Sequence, residues 1–197
     1  VVAGIEIASW GRDLPGKPGL SALLTALCEA DYALPVLPPA KLDDVSITIG
    51  NLIAEHIPDG ACLQLGIGSI PDAVGMALKS KRHLGIHTEM LTDSMIELIE
   101  CGAVDNSCKQ VYQGKTLATV AYGSKRMYDY IDHNPSVAIL PVDYVNNPYV
   151  VSQNNNFVSV NAALEVDLSG QVCAESIGPK QISGSGAGTC AAELSFN

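Results

Sequence analysis

Glu89 is a carboxylate in an unusual place. It closes the stretch Leu84-Gly85-Ile86-His87-Thr88-Glu89 within LGIHTEMLTD, residues 84–93. A short apolar run of this kind reads as a buried strand, and a helical pattern starts near Thr92. A carboxylate at the carboxyl end of a buried strand lies where open α/β sheets bind ligands. There it could serve as a nucleophile or a general base. A solvated loop acid, or an ion-pair partner for His87, would look the same in sequence.

A second group lies about twenty residues upstream. Gly66-Ile67-Gly68-Ser69-Ile70-Pro71 follows the strand-like CLQL. Glycines let a backbone approach a ligand closely, and a helix starting near Pro71 would aim free N–H groups at an anion. Plain strand-to-helix punctuation is the competing reading. The dinucleotide fingerprint is incomplete, because Pro71 stands where its third glycine belongs. One helix and one strand span Pro71 to Thr88, so the glycine loop and Glu89 should end neighbouring strands. A third group, Gly184-Ser185-Gly186-Ala187-Gly188, could supply backbone N–H donors to an oxyanion or could be a flexible tail. His56 and His133 read as surface residues, and QNNNF at 153–157 as a polar turn. Lys125-Arg126 reads as a solvated helix start more readily than as a phosphate site.

The elements that must position these groups follow from periodicity. Val1 to Ile7 reads as a strand, GRDLPGKPG as a loop and Leu20 to Ala30 as a helix. LPVLPPAK, residues 34–41, holds three prolines and reads as a linker. Asp43 or Asp44 then caps a helix whose apolar positions 45, 49, 52, 53 and 57 have helical spacing. From 61 to 142 strands and helices alternate, which predicts an α/β domain with a largely parallel sheet and flanking helices. After 150 the pattern changes to strands around the turn DLSG. A domain boundary is therefore expected near residue 42, at the proline-rich linker. The Val-Val start lacks an initiator Met, as a piece of a longer protein would.

Composition narrows the function classes. The 197 residues are 47% hydrophobic and 16% charged, a globular balance with enough chain for a real core. The formal net charge of −10 argues against nucleic acid or an anionic membrane as partner. It leaves room for a local anion site. No run reaches the length of a membrane span, and no signal-peptide pattern is visible. The six cysteines are scattered without CxxC spacing or a nearby histidine cluster, so reduced cytosolic thiols are expected and a metal site is not.

Four stretches carry a resemblance: LQLGIGSIPDAV, LGIHTEMLTD, PVDYVNNPYVVSQNNNFVSVNAALEVDLSGQVCAESIG and SGSGAG. Together they resemble the acetyl-CoA hydrolase/transferase family, and within it the 4-hydroxybutyrate and butyryl-CoA:acetate CoA-transferases. The likeness runs from about Leu42 to Gly186. It implies a NagB/RpiA/CoA-transferase-like α/β fold with two domains and the active site between them, with 1–41 as the tail of the first α/β domain plus the Pro-rich linker and 42–197 as the second, incomplete at its C-terminus. It implies that Glu89 is the catalytic glutamate of an HTEM motif. Gly66, Ile67, Gly68, Ser69 and Ile70 match the CoA-contacting loop. Asn161 in VNAALEVD matches a site position, and Gly184 an oxyanion glycine with Gly186 beside it. The family pattern SGVGGQVDF is replaced here by SGSGAGTCAAELSFN, so the end departs from it. MPRTLGDSFIHVSDIDY likewise gives way to LPGKPGLSALLTALCEADY.

The implied chemistry is CoA transfer between a short-chain acyl-CoA and a carboxylate through a glutamyl-CoA thioester on Glu89. Coenzyme A is then a substrate, with no tightly bound cofactor or metal. The implied partners are acyl-CoA and small carboxylic acids, in a cytoplasmic homo-oligomer. An acyl-CoA hydrolase, in which water replaces the acceptor acid, fits the same residues. A non-catalytic CoA-binding fragment is the reading from a different class.

Overall fold

Asp43 starts the first helix. Its Oδ1 accepts the Ser46 backbone N–H at 2.7 Å, meeting one of the donors that every helix N-terminus leaves open. The computed structural model describes Val36 and residues 41–182. The elements expected over 1–30, and the glycine stretch at 184–188, lie outside these residues. Helix α1 is Asp44–Glu55. Strand β1 (Cys62–Leu65) leads through the glycine loop into α2 (Ser69–Ala77) and a 3-10 turn, Leu78–Ser80. Then come β2 (Gly85–Ile86), β3 (Met90–Leu91) and α3 (Asp93–Glu100). Next are β4 (Thr116–Ala118), β5 (Val120–Ala121), α4 (Lys125–Ile131) and β6 (Val137–Ile139). Two one-turn helices, α5 (Val142–Val145) and α6 (Pro148–Val151), precede β7 (Phe157–Val160). Two short hairpins follow: β8 (Glu165–Val166) with β9 (Val172–Cys173) around DLSG, then β10 (Ser176–Ile177) with β11 (Lys180–Gln181).

The alternation builds the expected α/β fold. β1 is central, pairing parallel with β2 (Cys62↔Gly85) and with β7 (Cys62↔Phe157 to Leu65↔Val160). One residue past β2, His87 bridges Leu117 of β4, and β4 pairs parallel with β6. The strand order is therefore 7-1-2-4-6. The chain moves outward from β1 on one side and then returns to add β7 on the other. That reversal makes β1/β7 a topological switch point, and ligand crevices in such sheets open at the carboxyl ends there.

Strand alternation sorts the side chains into two faces. Leu63, Leu65, Leu84, Ile86, Ala118 and Val160 fall on one face and join the main core with Val74 of α2, Leu78 of the 3-10 turn, and Met95 and Ile96 of α3. Helices α1 to α4 pack successively along this side. Cys62, Gln64, Gly85, His87 and Ser159 fall on the other face. There a smaller cluster of Val111, Leu117, Val145 and Val150 covers the sheet.

Helix α1 buries a face shifted from the one its apolar spacing predicts. Ile57 joins the core and Ile53 packs against it, but Val45 and Leu52 are exposed, while Ser46, Gly50 and Ala54 are buried. The reason is close approach. A Cβ on Gly50 would stand 2.7 Å from the Ala73 carbonyl carbon of α2 and 2.9 Å from its oxygen. Only small residues fit such a seam, and the Ser46 and Ser69 hydroxyls meet across it at 3.1 Å. Gly50→Leu must push the two helices apart. A loss of about 1–3 kcal/mol is expected, read as a lower urea midpoint at unchanged slope.

Candidate active site

The glycine loop follows β1, and Glu89 lies three residues past β2, the neighbouring strand. Each has a local reason for its shape. Gly66 follows β1, its N–H bonded to the Val160 carbonyl of β7 at 2.8 Å. A Cβ there would lie 2.7 Å from Asn161 Oδ1, so the residue must be glycine for the two loops to meet. Gly68 caps α2 at φ 120°, a conformation open in practice to glycine alone. Ile67 is exposed, and the first turn of α2 presents its free N–H groups beside it.

Asn161, just past β7, belongs to a small amide network. Its Nδ2 donates to Gln64 Oε1 at 3.0 Å and to Ser159 Oγ at 2.9 Å. Gln64 Nε2 donates back to Asn161 Oδ1 at 3.2 Å, and the Ser159 hydroxyl donates to Gln64 Oε1. The switch point thus brings together Gly66, Asn161, Gln64 and Ser159. Gln64 and Ser159 are additions to the residues singled out from sequence. Their signal is parity, because they sit two residues apart from partners on the same strand face.

Glu89 sits at a break within a strand, not at its end. The strand resumes at Met90–Leu91, which pairs with Val120–Ala121. At the break the Glu89 carbonyl accepts two consecutive N–H groups, those of Thr119 and Val120, each at 2.9 Å. The alternation slips there by one residue: Leu84 and Ile86 face the core on even numbers, Leu91 on an odd one. Bulge-like slips of this kind re-aim a side chain. Thr119 Oγ1, in the same break, is buried without a hydrogen-bond partner. The half-buried Glu89 side chain meets the segment that covers the sheet, where Oε2 accepts from Asn146 Nδ2 at 2.5 Å.

His87 is not the partner of Glu89. It is buried, and its Nε2 lies 2.7 Å from the Val145 carbonyl, with Nδ1 3.0 Å from Asn154 Nδ2. A carbonyl only accepts, so Nε2 carries the proton. Asn154 Oδ1 accepts the N–H groups of Gln110 and Val111, both at 3.2 Å, which leaves its Nδ2 to donate to Nδ1. The ring is neutral. Burial pushes its pKa below the ordinary value against the pull of the Val145 carbonyl, and the Lys109 charge lowers it further.

Lys109 fills the gap between β2 and β4, which meet ladder-fashion only at the His87↔Leu117 bridge. Its Nζ donates to the carbonyls of Ile86 at 2.7 Å and Lys115 at 2.6 Å, while Asn106 Oδ1 takes the Ile86 N–H at 2.9 Å. Gly85 makes room, since a Cβ there would lie 2.4 Å from Lys109 Cγ. Burial pulls this ammonium down to about 8 and pushes the nearby Cys62 thiol up to about 12. The remaining sequence candidates are peripheral. Lys125 pairs with Asp129, Arg126 with Glu100 and His133 with Asp132, all on the surface. Cys62, Cys101, Cys108 and Cys173 are free thiols. No helix among the described residues is long and apolar enough to cross a membrane. Gly184 and Gly186 lie outside the described residues.

A folded Lys109 near 8 against an ordinary 10.5 fixes a sign. Between these values the unfolded chain holds a proton that the folded chain has released, so stability rises with pH. At roughly 1.4 kcal/mol per unit the full effect is of order 3 kcal/mol. From pH 9 upward the Cys62 thiol opposes it. The urea midpoint should climb from pH 8 to 9 in the parent chain and lose that climb in Lys109→Met. Equal profiles would contradict a buried ammonium.

Comparison with known proteins places this geometry among relatives. Residues 123–189 match the family profile described as acetyl-CoA hydrolase/transferase C-terminal domain. The chain is 47% identical over 188 residues to 4-hydroxybutyrate coenzyme A transferase of Clostridium kluyveri, covering 93% of this chain and 44% of that protein. It is 50% identical over 159 residues to succinyl-CoA:cyclohexane-1-carboxylate CoA transferase of Geobacter metallireducens, covering 81% and 36%. The crystal structure of RipA from Yersinia pestis is similar with a TM-score of 0.71 at 39% identity, over 75% of this chain and 33% of that one. The chain spans less than half the length of these relatives.

Proposed function

The chain belongs to the acetyl-CoA hydrolase/transferase family, and from that membership we propose that it moves CoA from a short-chain acyl-CoA to a carboxylate acceptor through Glu89. The observation that carries the reading is the Glu89 carboxylate, held by Asn146 at 2.5 Å one strand away from the glycine loop at the switch point. The acyl-CoA class is 4-hydroxybutyryl-, butyryl- or acetyl-CoA. The two curated relatives are named for different acids, so the acyl pocket is a separate question from the chemistry.

The reaction follows from a carboxylate nucleophile. Glu89 attacks the acyl carbonyl, the C–S bond breaks, and CoA thiolate leaves an acyl-glutamyl anhydride. The thiolate attacks the Glu89 carbonyl and expels the first acid as its carboxylate, leaving a glutamyl-CoA thioester. The acceptor carboxylate attacks that carbonyl and releases the thiolate. Attack of the thiolate on the acceptor's acyl carbon then forms the new acyl-CoA and frees Glu89. Splitting one exchange into such steps gives ping-pong kinetics.

Each attack at the Glu89 carbonyl puts negative charge on its oxygen. The Asn146 amide already donates to Oε2, so it is in place to stabilise that charge. Gly184 and Gly186 supply backbone donors to the acyl oxygen in this reading. The loop Gly66–Ile70 and Asn161 hold CoA by close backbone and amide contact. Residues 42–197 act as the second domain of a two-domain transferase, working as a cytoplasmic homo-oligomer.

The test is intact mass after incubation with butyryl-CoA or acetyl-CoA. The parent chain should gain a CoA-sized, hydroxylamine-labile adduct that Glu89→Gln does not form. Asn146→Ala should form it roughly 10²–10³-fold more slowly, as loss of an oxyanion donor does elsewhere. No adduct on a chain that still binds CoA would overturn the covalent reading. Conversion of butyryl-CoA to acetyl-CoA on addition of acetate separates transfer from hydrolysis, which yields free CoA alone.

A further inference from the structure

Two side chains of one strand grip two consecutive residues of the covering segment. His87 and Glu89, two apart, both reach the stretch at 145–146. His87 Nε2 donates to the Val145 carbonyl at 2.7 Å, and Asn146 Nδ2 donates to Glu89 Oε2 at 2.5 Å. The Val145 carbonyl and the Asn146 N–H belong to one rigid peptide plane. Whatever fixes that carbonyl therefore fixes the Cα from which the Asn146 side chain departs. The helix holds the other end of the same plane, where the Asn146 N–H donates to the Val142 carbonyl at 2.9 Å, but α5 is a single turn and the Val145 carbonyl is taken by His87.

The ring that makes this contact is itself constrained from behind. Asn154 donates to Nδ1 and cannot turn over, because its Oδ1 is occupied by the Gln110 and Val111 N–H groups. Phe157 meets the imidazole edge-on, with ring centroids 6.1 Å apart. The result is a chain of fixed donors from the 110–111 backbone through Asn154 and His87 to Val145.

We propose that His87 is a positioning residue for the Glu89–Asn146 pair: fixed as its Nε2–H tautomer by Asn154, it pins the Val145–Asn146 peptide and so aims the Asn146 amide at the carboxylate. The proposal rests on Glu89 being the reacting group. His87 itself touches neither Glu89 nor CoA in this account. Its effect falls on the rate of the steps at the Glu89 carbonyl and not on CoA affinity.

The experiment uses the full chain and reads both geometry and rate. In two-bond 1H–15N spectra of the parent at neutral pH, His87 should show a protonated Nε2 and a bare Nδ1. A cationic ring or the Nδ1–H tautomer overturns the proposal. The Asn146 side-chain amide signal should differ between the parent and Glu89→Gln. In His87→Phe, which keeps a ring against Phe157, it should move to the Glu89→Gln position. In His87→Gln, which keeps a donor and an acceptor at similar reach, it should stay. Adduct formation from butyryl-CoA should slow roughly 10²-fold in His87→Phe, the scale of an ångström of misplacement. His87→Gln should recover most of that rate, with CoA affinity unchanged in both. A folded His87→Phe with the parent's amide signal and rate overturns the proposal. Should His87→Phe not fold, the tautomer of the parent and the amide signal of His87→Gln decide it. A parent chain that forms no adduct refutes the covalent reading of Glu89, while the tautomer and amide signals still decide the positioning.

Discussion

The site depends on β1 having a parallel neighbour on each side. β2 brings Glu89 to one flank, and β7 brings Asn161 to the other. Parallel pairing puts all three carboxyl ends on one edge, so three loops converge without any long excursion. The glycine loop sits between them. Its Gly66 leaves no room for a Cβ beside Asn161, and its Gly68 opens α2 toward the same edge. Shift β7 to the far side of β2 and the amide network of Gln64, Ser159 and Asn161 could not form.

The price of this arrangement is a buried polar face. A sheet with Leu63, Leu65 and Ile86 on one side needs only apolar helices there. On the other side it carries Gln64, His87 and the edge carbonyl of Ile86, and each needs a partner. Two irregular segments supply them. Residues 106–115 contribute Asn106 and Lys109, which bond the Ile86 backbone where β2 and β4 are not yet paired. Residues 145–154 contribute the Val145 carbonyl and the Asn154 amide to His87. Such stretches look like loose connections in sequence, yet they are held as firmly as strands because buried amides and ammonium groups have nowhere else to bond.

This division explains what the sequence made legible. The α/β alternation, the placing of the glycine loop and Glu89 after neighbouring strands, a cap at Asp43 or Asp44 and the DLSG hairpin all follow from local pattern. Local pattern carries no information about partners far along the chain. Asn146 lies 57 residues from Glu89, and Asn154 lies 67 from His87. The available cue was chemical: VNNPY and QNNNF place asparagines among apolar residues, where a buried amide is as natural as the polar turn that QNNNF suggests. The break at Glu89 was also hidden, because Met90 and Leu91 resume a strand too short to show a period. In α1 the apolar spacing pointed to the right side at Ile53 and Ile57 but missed the small-residue seam. Hydrophobicity ranks Val45 above Ser46, but a backbone-to-backbone seam selects for size instead.

That seam has a mechanical meaning. Side chains between two helices ordinarily act as a cushion, taking up small shifts by changing rotamer. Gly50 against Ala73 leaves no cushion, and the Ser46–Ser69 contact ties the first turn of α1 to the first residue of α2. Helix α1 and helix α2 therefore behave as one stiff lever whose tip is the glycine loop. A displacement of α1 from its solvent side, where Val45, Ile47 and Leu52 stand exposed, has no side-chain slack at this seam to absorb it before α2 and its N-terminal Gly68.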